Sequence, residues 1–235
     1  MKSKDIKLIL SILSLFVIII GTYFADNISD GTASKKDNDV SYSSSDIPKY
    51  CGDYYVILND NKPNFKNDEY TDKSFESYSD LDSLGRCGVA YANVGPDIMP
   101  TSKRGSIGMI KPTGWHTVRY DDLVEGKYLY NRCHLIAYML TGENANEKNL
   151  ITCTRHMNAT VMLEFENKVA DYIHKTGNHV LYRVTPYFEG DNLLATGVQM
   201  EAASVEDDTI NFNVFVYNVQ DGIDIDYSNG DSKRK

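Results

Sequence analysis

The sequence has no CxxC pair: its four cysteines, Cys51, Cys87, Cys133 and Cys153, are widely separated. Structural zinc sites usually take their thiolates from such closely spaced pairs, so a zinc-stabilised fold is disfavoured. In an oxidising compartment the four cysteines can form disulfides in three alternative pairings, or some can remain as buried free thiols. The sequence alone does not choose between these arrangements.

Lysine and arginine are absent from residues 187–232, a stretch that holds ten of the chain's 33 acidic residues. The formal net charge of −9 therefore has one main source. A polyanionic partner is not excluded, because binding responds to the local potential and not to the net charge. Residues 103–132 carry six basic and three acidic side chains, a weak indication of such a surface, since these runs are more commonly solvated faces.

Charged residues are also missing from residues 8–25, an apolar stretch about as long as a membrane-spanning helix. Lys2, Lys4 and Lys7 precede it, which favours a cytoplasmic N-terminus and an outside location for the rest of the chain. We therefore predict a membrane anchor or signal segment over residues 1–26, with an uncleaved anchor favoured because residues 22–26 are a poor cleavage site. Residues 27–46 read as a flexible polar linker, residues 47–228 as one catalytic-size domain, and residues 229–235 as a charged tail.

Hydrophobic patterning predicts an α+β fold with an antiparallel sheet and one long helix. Strand patterns cover residues 54–58, 89–92, 180–185, 193–203 and 210–219, and a short extended piece covers residues 116–120. Residues 75–84 are predicted to form a short helix. The long helix begins at Asn158, which can cap its first turn, and ends near Gly177. Its apolar face is formed by Val161, Phe165, Val169 and Ile173.

Three residue types suited to phosphodiester hydrolysis lie between residues 132 and 158. His134 can accept a proton near neutral pH, although an isolated histidine is more commonly a buried structural residue. Arg132 is two positions away on a predicted strand, so its guanidinium shares a face with the imidazole and can bind a phosphate. Asn158 offers a hard amide oxygen suited to magnesium, and Glu166, about 80° further around a regular helix, can reach a metal-bound water.

Five motifs together resemble the DNA/RNA non-specific endonuclease family, the ββα-metal nucleases, and within it the secreted DNase and DNA-entry branch. The motifs are Leu84-Gly85-Arg86-Cys87-Gly88-Val89-Ala90, Lys111-Pro112-Thr113-Gly114-Trp115, Asn131-Arg132-Cys133-His134-Leu135-Ile136, residues 141–152, and Tyr182-Arg183-Val184-Thr185-Pro186. The resemblance extends over residues 86–227, more than half of the chain. It implies a ββα-metal fold and a sequence-non-specific nuclease that leaves 5′-phosphate products.

The resemblance also implies roles for individual residues. His134 corresponds to the general base, Arg132 to the phosphate-binding arginine, and Asn158 to the asparagine that ligates magnesium, for which manganese is a substitute. Asn149 corresponds to a second active-site asparagine and Glu166 to the glutamate that holds metal-bound water. Arg86 and Arg155 are further candidates for substrate binding. Asn131 and Cys133 depart from the family's usual aspartate and glycine, so the group that orients His134 is left open.

The expected partner is DNA, with RNA as an alternative, outside a bacterial cell or at the outer face of its membrane. A non-enzymatic alternative is a surface-tethered module that holds nucleic acid for uptake without cutting it. A thiol hydrolase with Cys133 as nucleophile and His134 or His156 as base is disfavoured. Cys133 and His134 are adjacent on a strand and face opposite sides, so they cannot easily share a proton.

Overall fold

The computed structural model describes residues 47–235, whose strands all pair in antiparallel fashion. The strands are β1 (Tyr55–Ile57), β2 (Phe75–Tyr78), β3 (Ala90–Val94), β4 (Tyr130–His134), β5 (Leu150–Thr154), β6 (Val180–Tyr187), β7 (Gly197–Ser204), β8 (Asn211–Tyr217), β9 (Ile223–Ile225) and β10 (Ser232–Arg234). Six of them form a sheet in the order β1-β8-β7-β6-β3-β2. Strands β4 and β5 form a separate pair, as do β9 and β10. The predicted antiparallel α+β architecture is confirmed.

The helices follow β4 and β5. A helix α1 (Tyr138–Thr141) follows β4, and a π-helix (Met157–Met162) runs directly into the long helix α2 (Leu163–Thr176). Two 3₁₀ turns lie at Asn59–Asn61 and Glu147–Asn149. Helix α2 ends as predicted at Gly177, which adopts φ 74°. The N–H of Gly177 donates a hydrogen bond to the carbonyl of Ile173 at 2.8 Å.

The predicted apolar face of the long helix lies in the main core. Val161, Phe165, Val169 and Ile173 are all buried there, together with side chains of the six-stranded sheet. The ring of Phe165 stands 5.1 Å from that of Phe212 in β8. Burying each such side chain contributes roughly 1.5–3 kcal/mol, so the helix is fixed on the sheet mainly by this face.

The short helix predicted over residues 75–84 is wrong. Phe75 to Tyr78 form the edge strand β2, which pairs antiparallel with β3, and the following residues form a turn in which Gly85 has φ 79°. The aromatic residues at both ends of this strand are strong strand formers. Cross-strand pairing satisfies more of its backbone than one isolated helical turn would. Of the extended piece predicted at residues 116–120, only a single bridge is observed, between Arg119 and Tyr128.

Two buried connections fix the β4–β5 pair. Cys133 of β4 and Cys153 of β5 form a disulfide, and both residues are fully buried. Asn218, also fully buried, accepts a hydrogen bond from the N–H of Thr154 at 2.8 Å and donates to the carbonyl of Ala195 at 2.9 Å. The end of β5 is therefore attached to the segment after β8. The other two cysteines are free: Cys51 is exposed and Cys87 is buried.

Residues 229–235, which the sequence sets apart as a charged tail, include β10 and contact the domain. The hydroxyl of Tyr130 donates to the carbonyl of Gly230 at 2.9 Å, and Arg234 forms an ion pair with Asp122. At the other end, the predicted anchor and linker lie outside the described residues. Within residues 47–235 no helix is long and apolar enough to cross a bilayer.

Candidate active site

Two adjoining cavities lie where β4 meets the N-terminal part of the long helical segment. The first, here called the histidine pocket, has a volume of about 310 Å³ and is lined by Arg104, His134, Ala137, Tyr138, Met139, Asn158, Ala159, Leu163 and Glu166. The second, here called the aromatic pocket, has a volume of about 500 Å³ and is lined by Arg104, Ile107, Trp115, His116, Thr117, Val118, Tyr128, Tyr130, Asn131, Arg132 and Asn158. Arg104 and Asn158 are shared, so the two cavities are contiguous.

His134 ends strand β4 and is only 5% exposed. Its Nε2 lies 2.8 Å from the backbone oxygen of Asn144, and its Nδ1 lies 3.2 Å from a guanidinium nitrogen of Arg104. A carbonyl can only accept and a guanidinium can only donate, so the neutral imidazole carries its proton on Nε2. The lone pair on Nδ1 therefore faces Arg104 and the histidine pocket.

The surroundings keep the His134 imidazole neutral. Burial, the largest cause, lowers its pKa from 6.5 to about 4, and the positive charge of Arg104 acts in the same direction. The hydrogen bond to the Asn144 carbonyl opposes this shift. The same carbonyl also fixes the orientation of the His134 ring. Asn131, which stands where the family has an aspartate, lines the aromatic pocket. A backbone oxygen takes the place of the missing carboxylate.

Asn158 does not cap the helix, contrary to the sequence prediction. The backbone is already helical from Arg155, and the capping acceptor is Thr154 Oγ1, 3.1 Å from the N–H of Met157. Asn158 lies inside the π-helix and lines both cavities. Its amide is consequently available to the pocket and is not used at the helix terminus.

The π-helix changes the relation between Asn158 and Glu166. A π-helical turn accommodates about one more residue than an α-helical turn. Residues eight apart across it stand roughly as residues seven apart do in a regular helix, about 20° apart around the axis and not about 80°. Both side chains accordingly line the histidine pocket. π-helical turns are frequent at functional sites.

Glu166 is 7% exposed, and burial raises the pKa of its carboxyl to about 8, while Arg104 counteracts this. Together with the Asn158 amide oxygen it gives the histidine pocket two hard oxygen donors. Among residues 47–235 no three His, Cys, Asp or Glu side chains are grouped to hold a metal ion. These residues suit a cation that keeps most of its water ligands, as magnesium does, and not an ion enclosed by protein ligands.

Arg132 lies at the edge of the aromatic pocket. Its Nε donates to the carbonyl of Ile110, and another guanidinium nitrogen donates to that of Gly108 at 3.1 Å. The guanidinium also lies 3.9 Å from the centre of the Trp115 ring. These contacts hold the charge in a fixed position.

The remaining predicted site residues lie elsewhere. Asn149 is fully buried, and its side-chain amide pairs with both backbone groups of Ile136, at 2.9 and 3.0 Å. It therefore holds the turn after His134. Arg86 forms an ion pair with Asp82 and donates to the carbonyls of Gly190 and Asn192. Arg155 packs against Gly126. Neither arginine lines the two cavities.

Two residues of the site, Arg104 and Trp115, are not identified by sequence reasoning. Arg104 belongs to a basic stretch, and its neighbours Lys103 and Gly105 give no motif that marks it. Trp115 falls within one of the five motifs without a role of its own. The available signal is the combination of a lone tryptophan with arginines in one basic segment.

The site and fold define a class of protein. The profile of the DNA/RNA non-specific endonuclease family matches residues 63–206, more than half of the chain, and the chain belongs to this family. It is 36% identical over 108 residues to a deoxyribonuclease of Streptococcus dysgalactiae subsp. equisimilis, a match that covers 44% of this chain and 32% of that protein. The chain thus spans about a third of the length of this curated relative.

Solved structures agree with the family assignment. NucA from Streptococcus agalactiae with magnesium bound is 26% identical with a TM-score of 0.68, covering 76% of this chain and 87% of NucA. The Sda1 nuclease with zinc bound is 26% identical with a TM-score of 0.64, covering 77% of this chain and 97% of Sda1.

Proposed function

We propose that the chain is a metal-dependent endonuclease that hydrolyses the phosphodiester bonds of DNA, and of RNA as a further substrate, without sequence preference. The observation that carries this proposal is the convergence of His134, Asn158, Glu166 and Arg104 on one pocket, with Arg132 in the adjoining one. Family membership and the nature of the relatives, a deoxyribonuclease and nucleases with magnesium or zinc, support it.

In the proposed mechanism His134 is the general base. Its Nδ1 takes a proton from a water that attacks phosphorus, and the bond from phosphorus to the 3′-oxygen breaks. The 3′-oxygen leaves with the bonding electron pair and takes a proton from water, and the phosphate stays on the 5′ carbon of the other product. The Asn144 carbonyl holds the imidazole in the required tautomer and orientation. Asn149 supports the same loop through Ile136, so its role is to position the base and not to contact the substrate.

Arg104 has to leave Nδ1 before that nitrogen can accept a proton. A phosphate oxygen is a stronger acceptor for a guanidinium than a neutral imidazole is, because the hydrogen bond is then charge-assisted. We expect the bound phosphate to draw Arg104 towards itself, which frees the base in the presence of substrate. Arg132 supplies a second, fixed positive charge that stabilises the phosphorane-like transition state.

Asn158 is the proposed ligand of a magnesium ion, and Glu166 would hold one of its water molecules. When bound, the cation supplies charge stabilisation on the non-bridging and leaving oxygens. Manganese would serve as a substitute, since it favours similar oxygen ligands.

The proposed location is outside the cell or at the outer face of the bacterial membrane. The buried Cys133–Cys153 disulfide supports this location, because such bonds persist mainly in oxidising compartments. The apolar stretch of residues 8–25 is the proposed attachment.

A nuclease assay tests the proposal directly. Residues 47–235 are incubated with single- and double-stranded DNA and RNA, with magnesium or with chelator. Cleavage that stops in chelator is the expected result, and retention of intact DNA in both conditions would favour the uptake module instead. The His134→Ala variant should lose activity by about 10²- to 10⁴-fold, whereas His174→Ala, on the exposed face of α2, is the matched control.

A further inference from the structure

The aromatic pocket contains more than phosphodiester hydrolysis needs. Beside the shared Arg104 and Asn158, its lining includes Trp115, Tyr128 and Tyr130. Phosphate is bound by cations and hydrogen-bond donors. Trp115 contacts Arg132 and Tyr130 is hydrogen-bonded to Gly230, so the partly exposed Tyr128 is the ring that calls for a separate explanation.

Tyr128 is the ring best placed to meet a ligand. It is 46% exposed, unlike Tyr130, which is 3% exposed and engaged through its hydroxyl with Gly230. The guanidinium of Arg119 lies 5.3 Å from the centre of the Tyr128 ring, and the Arg119–Tyr128 bridge fixes the backbone on either side. The ring is therefore held at the mouth of the cavity without being buried in the core.

A recess of about 500 Å³ lies within the size range of small-molecule sites. In a duplex the flat faces of the bases are stacked and hidden, so a recessed aromatic cavity cannot contact them. Single-stranded nucleic acid, by contrast, exposes base faces that stack on aromatic side chains and on arginine, beside cations that follow the backbone. Arg104 and Arg132 line this cavity together with the aromatic rings.

We propose that the aromatic pocket binds one unstacked nucleobase of a single-stranded segment, adjacent to the phosphodiester that is cut, with Tyr128 as the stacking surface. This inference rests on the proposed function and adds a substrate preference to it. Because stacking is tolerant of base identity, the pocket favours single-stranded and locally melted DNA without reading sequence.

The test uses single-stranded hexadeoxynucleotides with one ordinary phosphodiester and phosphorothioates elsewhere. One oligonucleotide carries all bases, and two others lack the base on the 5′ or the 3′ side of the ordinary linkage. Binding to residues 47–235 is measured by fluorescence anisotropy in chelator, and KM and kcat are measured with magnesium. The proteins are the wild type, Tyr128→Ala, Tyr128→Phe and the control Tyr70→Ala, a tyrosine 39% exposed outside this cavity.

For the base-containing oligonucleotide we expect Tyr128→Ala to raise Kd and KM about tenfold with little change in kcat, and Tyr128→Phe and Tyr70→Ala to match the wild type. One of the two abasic oligonucleotides should bind wild type and Tyr128→Ala equally weakly. Equal binding of all oligonucleotides by the wild type, or an equal loss for Tyr128→Ala with and without the base, would overturn the inference. Because binding is measured without turnover, absence of cleavage would count against the proposed function alone.

Discussion

The two sides of the histidine pocket are built differently. On one side, β4, β5 and the helical segment place His134 and Glu166 at 5% and 7% exposure, and a disulfide and buried amides hold the backbone. On the other side, residues 101–106 are all exposed, and Arg104 reaches His134 from this segment. The contacts of the buried side hold its backbone in the absence of substrate, whereas the proposed mechanism requires the Arg104 charge on the exposed side to move. We call them the buried wall and the exposed wall.

Among the changes that compare the two walls, Asn158→Ala in the buried wall should cause the largest loss of activity. Loss of the proposed ligand oxygen is expected to lower activity about 10- to 100-fold at fixed magnesium, with partial recovery at higher magnesium. Because Thr154 and not Asn158 caps the helix, the thermal unfolding midpoint should be unchanged. Titration of activity against magnesium, with the exposed Asn167→Ala as the matched control on α2, checks this. A magnesium dependence equal to that of the wild type would remove the ligand assignment.

Arg104→Ala probes the exposed wall. Losing one charge-assisted contact to phosphate should reduce kcat/KM by about tenfold, without affecting stability, because the segment is exposed. Steady-state kinetics and thermal denaturation are compared with those of the neighbouring Lys103→Ala. If Arg104→Ala also lowered the unfolding midpoint by several degrees, the two walls would not be independent.

Reducing the Cys133–Cys153 disulfide tests the buried wall as a structural unit. Opening a bond between residues 20 apart in the chain should cost about 3 kcal/mol of unfolding free energy. Activity at low temperature should change only severalfold, because the strand hydrogen bonds remain. Denaturant titration with and without reductant, on a Cys51→Ser background to prevent intermolecular pairing, measures the effect. An unchanged midpoint would show that the strand pair does not need this bond.

The smallest effect is expected from mild acid. Burial lowers the pKa of His134 to about 4, so the imidazole is almost wholly neutral at pH 6, whereas an ordinary histidine would be mostly protonated. Protonation of His134 by itself should therefore lower activity less than about twofold between pH 7 and pH 6. Folding accommodates the neutral imidazole, so the contribution of His134 to stability is lost as the pH falls from about 6.5 towards 4. Glu166 acts in the opposite direction, because its raised pKa makes the folded state bind a proton more tightly than the unfolded state does. The effect on activity is measured as rate against pH at constant ionic strength and fixed magnesium concentration, in buffers freed of other metal ions. A rate profile with its midpoint near pH 6.5 would contradict this expectation.

The two walls also differ in how far their sequences predict them. Local spacing locates the apolar face of α2, because it depends on a periodicity of about four residues. Placing Arg132 and His134 on one face assumes a strand there, and β4 confirms that strand. Arg104 could not be found this way, since its approach to His134 depends on how the exposed segment crosses the site. The capping prediction for Asn158 is wrong because a π-helix already occupies that position. Asn149 was identified as a site residue, but its pairing with the Ile136 backbone depends on tertiary structure.

The contact between His134 and Asn144 has a consequence for mutational scans. The acceptor is a main-chain oxygen, so replacing the Asn144 side chain leaves it in place. An alanine scan would identify His134 and pass over its partner, although the ring's orientation depends on both. On the acceptor side, only a change in the backbone itself affects this interaction: an altered loop length between residues 135 and 149 would displace the carbonyl, and an ester in place of the peptide would leave a weaker acceptor.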